Sequence, residues 1–134
     1  MHRPILMAAS AAALCGIALA GVAAAEIGPT IFAGACAACH AAGSPRVVAG
    51  QPLLGKTRAI MGDTPARAIN LVLDGHFPPP EQRGAWMPSF AGMLDDAEIA
   101  GVLNWLRQEA GQPPWPDLAA RVQVARANGA EARR

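Results

Sequence analysis

Two cysteines three residues apart, with a histidine directly behind the second, form the segment of this chain best suited to chemistry: Cys36-Ala37-Ala38-Cys39-His40. On one helical turn the two thiols can each add to a vinyl group of haem, giving two thioethers. The histidine next to them is then held under the iron as an axial ligand. Other uses of the pair fit less well. A redox dithiol does not need the adjacent histidine, and it more often carries Gly-Pro or Pro-His between the cysteines within a βαβ pattern. A zinc site needs two further Cys or His ligands at similar spacing, and the remaining candidates are Cys15, His76 and His2. The motif predicts one covalent haem c, with Cys36 and Cys39 as attachment points and His40 as an iron ligand.

A six-coordinate haem c needs a second ligand, for which methionine, histidine or nothing are the usual choices. Met61, His76, Met87 and Met93 lie beyond the motif. Met87 is preceded by the Pro-rich run from Phe77 to Trp86 and followed by Pro88, a loop stiff enough to hold a weak thioether against iron. Met93 sits almost at the start of a helix and reads as a core contact, while Met61 reads as a gap-filler. His76, at the end of a helix, is the rival, although a lone histidine there commonly serves the helix dipole. The expected iron ligands are His40 and Met87. An open sixth position would change the class of function, since an accessible iron binds small ligands.

The elements that position these residues read as helices. Pro29 suits the first turn of a helix opened by Gly28-Pro29, whose stripe of Ile31, Phe32 and Ala35 runs into the cysteine motif. Thr64-Pro65 opens a second, with Ile69, Val72 and Leu73 on one face and Asp74-Gly75 as its stop. Asp95 and Glu98 make a capping-box start for a third, carrying Ile99, Val102, Leu103 and Leu106 up to Gly111. Two irregular stretches, 41–63 and 76–94, are long enough to need something packed beneath them. No alternating pattern argues for a sheet.

The ends of the chain read differently from its middle. Met1-His2-Arg3, an apolar run from Ile5 to Val22 and Ala23-Ala24-Ala25 have the layout of a secretory signal peptide occupying 1–25. The run is nearly long enough to span a bilayer, so an uncleaved membrane anchor stays open. Export to the periplasm fits covalent haem attachment, and without Cys15 no disulfide framework is available. The formal net charge of +1 gives no reason to expect nucleic acid as a partner. Residues 112–134 begin with a Pro-broken linker and continue as an Ala/Arg-rich segment able to form a short helix. Leu118, Val122 and Val124 are too few for a core layer, so this tail is expected to be a solvated extension or a basic docking arm. The body of the protein is then 26–111. With three Phe, three Trp and no Tyr, a domain this small has little aromatic bulk for a core, and a buried macrocycle would supply it.

Residues 28–110 resemble class I cytochromes c, the small all-α monohaem carriers in which about three main helices and loops wrap a haem and the terminal helices cross. The resemblance rests on Gly28 and Phe32, on Cys36–His40, on Pro52-Leu53-Leu54-Gly55, on Met87-Pro88 and on Trp105. It implies that the first and last family helices cross at Gly28, with Phe32 and Trp105 packed there. It also implies that the Pro52 carbonyl accepts a hydrogen bond from His40 Nδ1, and that Leu54 lies against the porphyrin. The chain departs from the mitochondrial members in having only Lys56 in place of a lysine-rich face. It also lacks tyrosines for the haem propionates, a role open to Trp86, Arg46, Arg58 or Arg83. Ala68–Gly75, Met87–Phe90 and the Leu103–Arg107 stretch are similar to bacterial cytochromes serving periplasmic alcohol or sorbitol dehydrogenases. The resemblance implies a non-catalytic electron carrier between a periplasmic dehydrogenase and a downstream cytochrome or oxidase. The alternatives are a permanent cytochrome subunit of a dehydrogenase complex and, more remotely, a haem enzyme or gas sensor with an open iron.

Overall fold

A computed structural model describes residues 26–43, 54–81 and 86–132 of the 134-residue chain. Five helical segments succeed one another: α1 (26–40), α2 (Arg58–Met61), α3 (Ala66–Asp74), α4 (Asp96–Glu109) and α5 (Leu118–Ala132). A 3-10 turn, Leu54–Lys56, precedes α2. Among the described residues no strand forms, and His76 and Met87 make an isolated antiparallel bridge. The expected all-α fold is the observed one. The leader expected at 1–25 and the residues Pro52, Arg46 and Arg83 lie outside the described residues.

Close approach of α1 and α4 organises the domain. A Cβ added at Gly28 would lie 2.3 Å from Trp105 Cβ and 2.9 Å from the Gly101 carbonyl oxygen. The reverse holds too, since a Cβ on Gly101 would lie 2.7 Å from Ile27 Cγ2. Two glycines, one per helix, therefore let the backbones meet. Beside them the rings of Phe32 and Trp105 pack at 5.0 Å between centroids, tilted by 50°, a geometry favoured by the aromatic quadrupoles. The Gly28 crossing expected from the resemblance is thus present, with Gly101 as an unforeseen partner.

The capping box also forms as its spacing suggests. Asp95 Oδ1 accepts from the Glu98 N–H and Glu98 Oε2 from the Asp95 N–H, both at 2.8 Å, satisfying two donors that an uncapped helix start would leave open. Ile99, Val102, Leu103 and Leu106 of α4 then bury against Ile60 of α2 and Ala68, Ile69 and Leu73 of α3.

Three expectations are corrected. The first helix already includes residue 26, so Pro29 sits inside it instead of opening it. The stretch 41–63 contains the Leu54–Lys56 turn and α2, capped by Thr57, whose Oγ1 accepts from the Ile60 N–H at 3.4 Å. The tail is not a solvated extension. Trp115, Leu118 and Val122 are buried in the same core as α3 and α4, and α5 packs on both helices. Val124 stays exposed, but Trp115 before the helix joins Leu118 and Val122, which, four residues apart, share a helix face. Each gains about 1.5–3 kcal/mol by full burial.

Arg107 ties this addition to α2. Its side chain is buried, donating from Nε to the Pro113 carbonyl at 2.6 Å and from Nη1 to the carbonyls of Ile60 and Gly62 at 2.5 and 2.8 Å. Its guanidinium stacks on Trp115 at 4.1 Å from the ring centroid, and Trp115 Nε1 donates to the Asp63 carbonyl at 3.2 Å. Several backbone carbonyls and one aromatic face thereby satisfy a permanently charged group.

Candidate haem-attachment and ligand site

Helix α1 changes its winding just before the chemistry-bearing residues. Phe32–Cys36 forms a π-helical turn, in which the Ala37 N–H donates to the Phe32 carbonyl, and Ala37–His40 returns to α-helix. A π-turn accommodates one extra residue and so rotates the next turn about the helix axis. Phe32 faces the α4 crossing while the motif occupies the end of the helix. Cys36 is half-buried and Cys39 exposed, and both are free thiols. Burial, and then the neighbouring Cys39, push the Cys36 thiol above its ordinary pKa of 9.0, so it stays protonated and weakly reactive at neutral pH. Desolvation of His40 pushes its pKa below 6.5. The imidazole is therefore neutral at neutral pH, the form with a lone pair to give to a metal.

Leu54 opens the 3-10 turn, and like Cys36 it packs at the edge of the core cluster. Its carbonyl accepts from Thr57 Oγ1 at 2.8 Å. Attachment segment and Leu54 turn thus border one core.

Met87 comes from another region, through backbone bonds rather than side-chain packing. Helix α3 stops at Gly75, whose φ of +77° belongs to glycine. There is a second reason for glycine: a Cβ at this position would lie 2.4 Å from the Met87 carbonyl oxygen and 2.9 Å from Ser89 N. The loop lies directly on the helix end. His76 and Met87 exchange both backbone hydrogen bonds, at 2.9 and 2.8 Å. Phe90 N–H donates to the Val72 carbonyl at 2.9 Å, and Ser89 Oγ to that of Leu73. Carbonyls that a helix end leaves without intrahelical donors are thus satisfied by the methionine loop. The half-buried Met87 is held in register with exposed His76. The two rivals for the iron are neighbours across one bridge.

The remaining candidates sort by exposure. Met93 is 63% exposed, which corrects its reading as a core contact, and Met61 is 42% exposed instead of filling a gap. Arg58 is exposed on α2. Trp86 is exposed and stacks on Phe77, with centroids 6.3 Å apart and planes 13° from parallel. Sequence reasoning does not find Gly75, Ser89 and Gly101 as positioning residues. Only the Asp74-Gly75 stop gives any signal, since hydrogen bonds to a helix end leave no mark in a sequence.

The donor set fits a covalently attached haem. Two free thiols stand a turn apart, a neutral imidazole sits directly behind them, and Met87 stands on a segment bonded to the end of α3. Phe77 and Trp86, stacked on each other, are both exposed, as are Met61 and Met93.

Comparison with known proteins decides the family: the family model for cytochrome c matches residues 25–110. The chain belongs to the cytochrome c family. With membership come a covalently attached haem c, its iron and a role in electron transfer. Cytochrome c6 of Chlorolobion braunii is 33% identical over 96 residues, which cover 66% of this chain and 94% of that protein. A nicotinate dehydrogenase subunit of Pseudomonas putida is 31% identical over 104 residues, or 75% of this chain. The match spans only 9% of that relative's length. Helix α5 lies beyond the stretch matched by the family model. Among the described residues, no helix is long and apolar enough to cross a membrane.

Proposed function

We propose that this cytochrome is an exported carrier that moves one electron through a haem iron held by His40 and Met87. The seating of Met87 supports the reading most. A thioether is a weak ligand, and this one sits on a loop bonded at residues 87, 89 and 90 to the end of α3. The haem, when bound, supplies the one-electron ferric–ferrous couple. His40 offers a neutral imidazole, which the Pro52 carbonyl would orient through Nδ1, and Leu54 would exclude water beside the porphyrin. Met87, a soft donor, favours the ferrous state and raises the potential. With His40 and Met87 kept as ligands in either oxidation state, transfer would need little rearrangement of the chain.

The leader 1–25 directs the chain to the periplasm, where cleavage leaves a free carrier and retention leaves an anchored one. The donor is a periplasmic dehydrogenase and the acceptor another cytochrome or an oxidase. Such encounters use small, transient interfaces. The chain itself is a non-catalytic carrier. A second reading, a permanent cytochrome subunit of a dehydrogenase complex, draws on the similarity to a stretch of the Pseudomonas putida nicotinate dehydrogenase subunit.

Optical spectra of the purified exported protein test the ligand set. Low-spin spectra in both states and a weak far-red thioether–ferric band are expected. Met87→Ala should abolish that band, lower the potential and admit carbon monoxide. If His76→Ala or Met93→Ala does so while Met87→Ala is silent, the assignment is wrong.

A further inference from the structure

Helix α5 contributes more to the methionine loop than bulk. Leu118, Val122 and Arg126 recur every four residues and so lie along one face. The first two bury in the core. The third reaches the segment immediately after the loop. Arg126 Nε pairs with Asp96 Oδ1 at 2.8 Å, Nη2 donates to the Leu94 carbonyl at 2.9 Å, and Nη1 donates to the Ala91 carbonyl. Residues 90–94 form a tight turn in which the N–H groups of Met93 and Leu94 both donate to the Phe90 carbonyl at 3.0 Å. One planar guanidinium therefore grips both ends of that turn and the first residue of α4 at once. A lysine, with a single nitrogen, cannot span all three acceptors.

We propose that Arg126 is a positioning residue for the sixth iron ligand, and that the appended helix α5 braces the Met87 loop from its C-terminal side. The proposal rests on the reading of Met87 as the ligand. The loop is held at one end by Val72, Leu73 and His76 and at the other by Arg126. Met87 is bonded at the first anchor and the chain after it runs into the second, which together leave it little freedom to leave the iron. Losing the second anchor frees residues 91–94 and leaves the Met87–Phe90 stretch on its α3 bonds alone, so the thioether dissociates more often while the fold remains.

The test uses the mature holoprotein and imidazole, which binds ferric iron only after Met87 has left. Arg126→Ala should raise the rate of imidazole binding about tenfold, the factor expected when hydrogen bonds from a charged donor are lost from the ligated state. Arg126→Lys should recover part of the difference. Val122→Ala separates bracing from general loosening, because it opens a cavity under α5 yet keeps the guanidinium. Its thermal midpoint should fall at least as far as that of Arg126→Ala, with imidazole binding within about twofold of wild type. An unchanged rate in Arg126→Ala overturns the brace, as do equal rises in both variants. If Met87→Ala abolishes the far-red band while Arg126→Ala leaves imidazole binding untouched, the brace alone fails. A wild-type protein without that band overturns the ligand reading and the brace with it.

Discussion

Cys36, Cys39 and His40 fall within five consecutive positions of one helix, whereas Met87 is bonded to His76 and the residues after it to Val72 and Leu73, with Arg126 of a helix beginning at Leu118 bonded to the turn that follows. The attachment segment needs almost nothing from the rest of the chain to bring its donors together, because helix geometry alone sets them a turn apart. The methionine loop draws its bonds from the end of α3, and the turn after it from Arg126 of α5. Local chemistry can be written in a short motif, while a weak ligand must be held by tertiary structure. The two regions should therefore fail differently when disturbed.

The largest difference is expected on removing the tail. Truncation after Gly111 deletes Trp115, Leu118 and Val122 together with the Arg126 grip. Losing buried side chains of this size costs about 2–5 kcal/mol each, a sum comparable with the whole stability of a small domain. Cooperative thermal unfolding followed by circular dichroism should be lost, while the haem stays covalently bound through acidic-acetone extraction. A truncated protein that keeps its melting midpoint would show α5 to be dispensable and erase the contrast.

Gly75→Ala tests the methionine loop at its other anchor. The positive φ and the Met87 carbonyl only 2.4 Å from the new Cβ together set the penalty. A cost of about 1–3 kcal/mol is expected, with a weakened far-red band. Gly28→Val tests the α1–α4 crossing that carries the attachment segment. Overpacking against Trp105 should cost about 1–3 kcal/mol, but the band should persist in whatever fraction remains folded. Denaturant titration combined with absorbance separates the two variants. If Gly28→Val removed the band as readily as Gly75→Ala, the two regions would be one mechanical unit.

The smallest effect concerns pH. His40 has its folded pKa below 6.5 because of desolvation. As pH falls from about 6.5, the unfolded chain takes up the proton first, so stability present above that pH is lost as it drops through the folded pKa. In the chain before haem attachment, the denaturant midpoint should fall between pH 7 and pH 5, and fall less in His40→Gln. Equal decreases in both would assign the acid sensitivity to another group.

Much of the site is legible without the fold. Cys36–His40 declares its chemistry because spacing and residue type suffice for it, and Asp95 with Glu98 announces a helix start because capping is local. Gly28 is legible only through family resemblance, and its partner Gly101 not at all. A close crossing depends on which residue of the second helix arrives opposite the first. The tail misleads for a similar reason. Leu118, Val122 and Val124 look too few for a core, and Val124 does stay exposed, but counting cannot reveal that α3 and α4 already offer a seat for Leu118 and Val122 together with Trp115.

By itself, the sequence determined what this protein attaches and where: the thiols, the imidazole behind them, the helical stripes and the caps are set by contacts within a few residues. Only the tertiary structure decided how Met87 is seated, that Gly75 clears space for its loop, and that Arg126 closes the turn after it. Those outcomes join residues up to 35 positions apart. They hang on backbone carbonyls, which every residue carries alike and no sequence distinguishes.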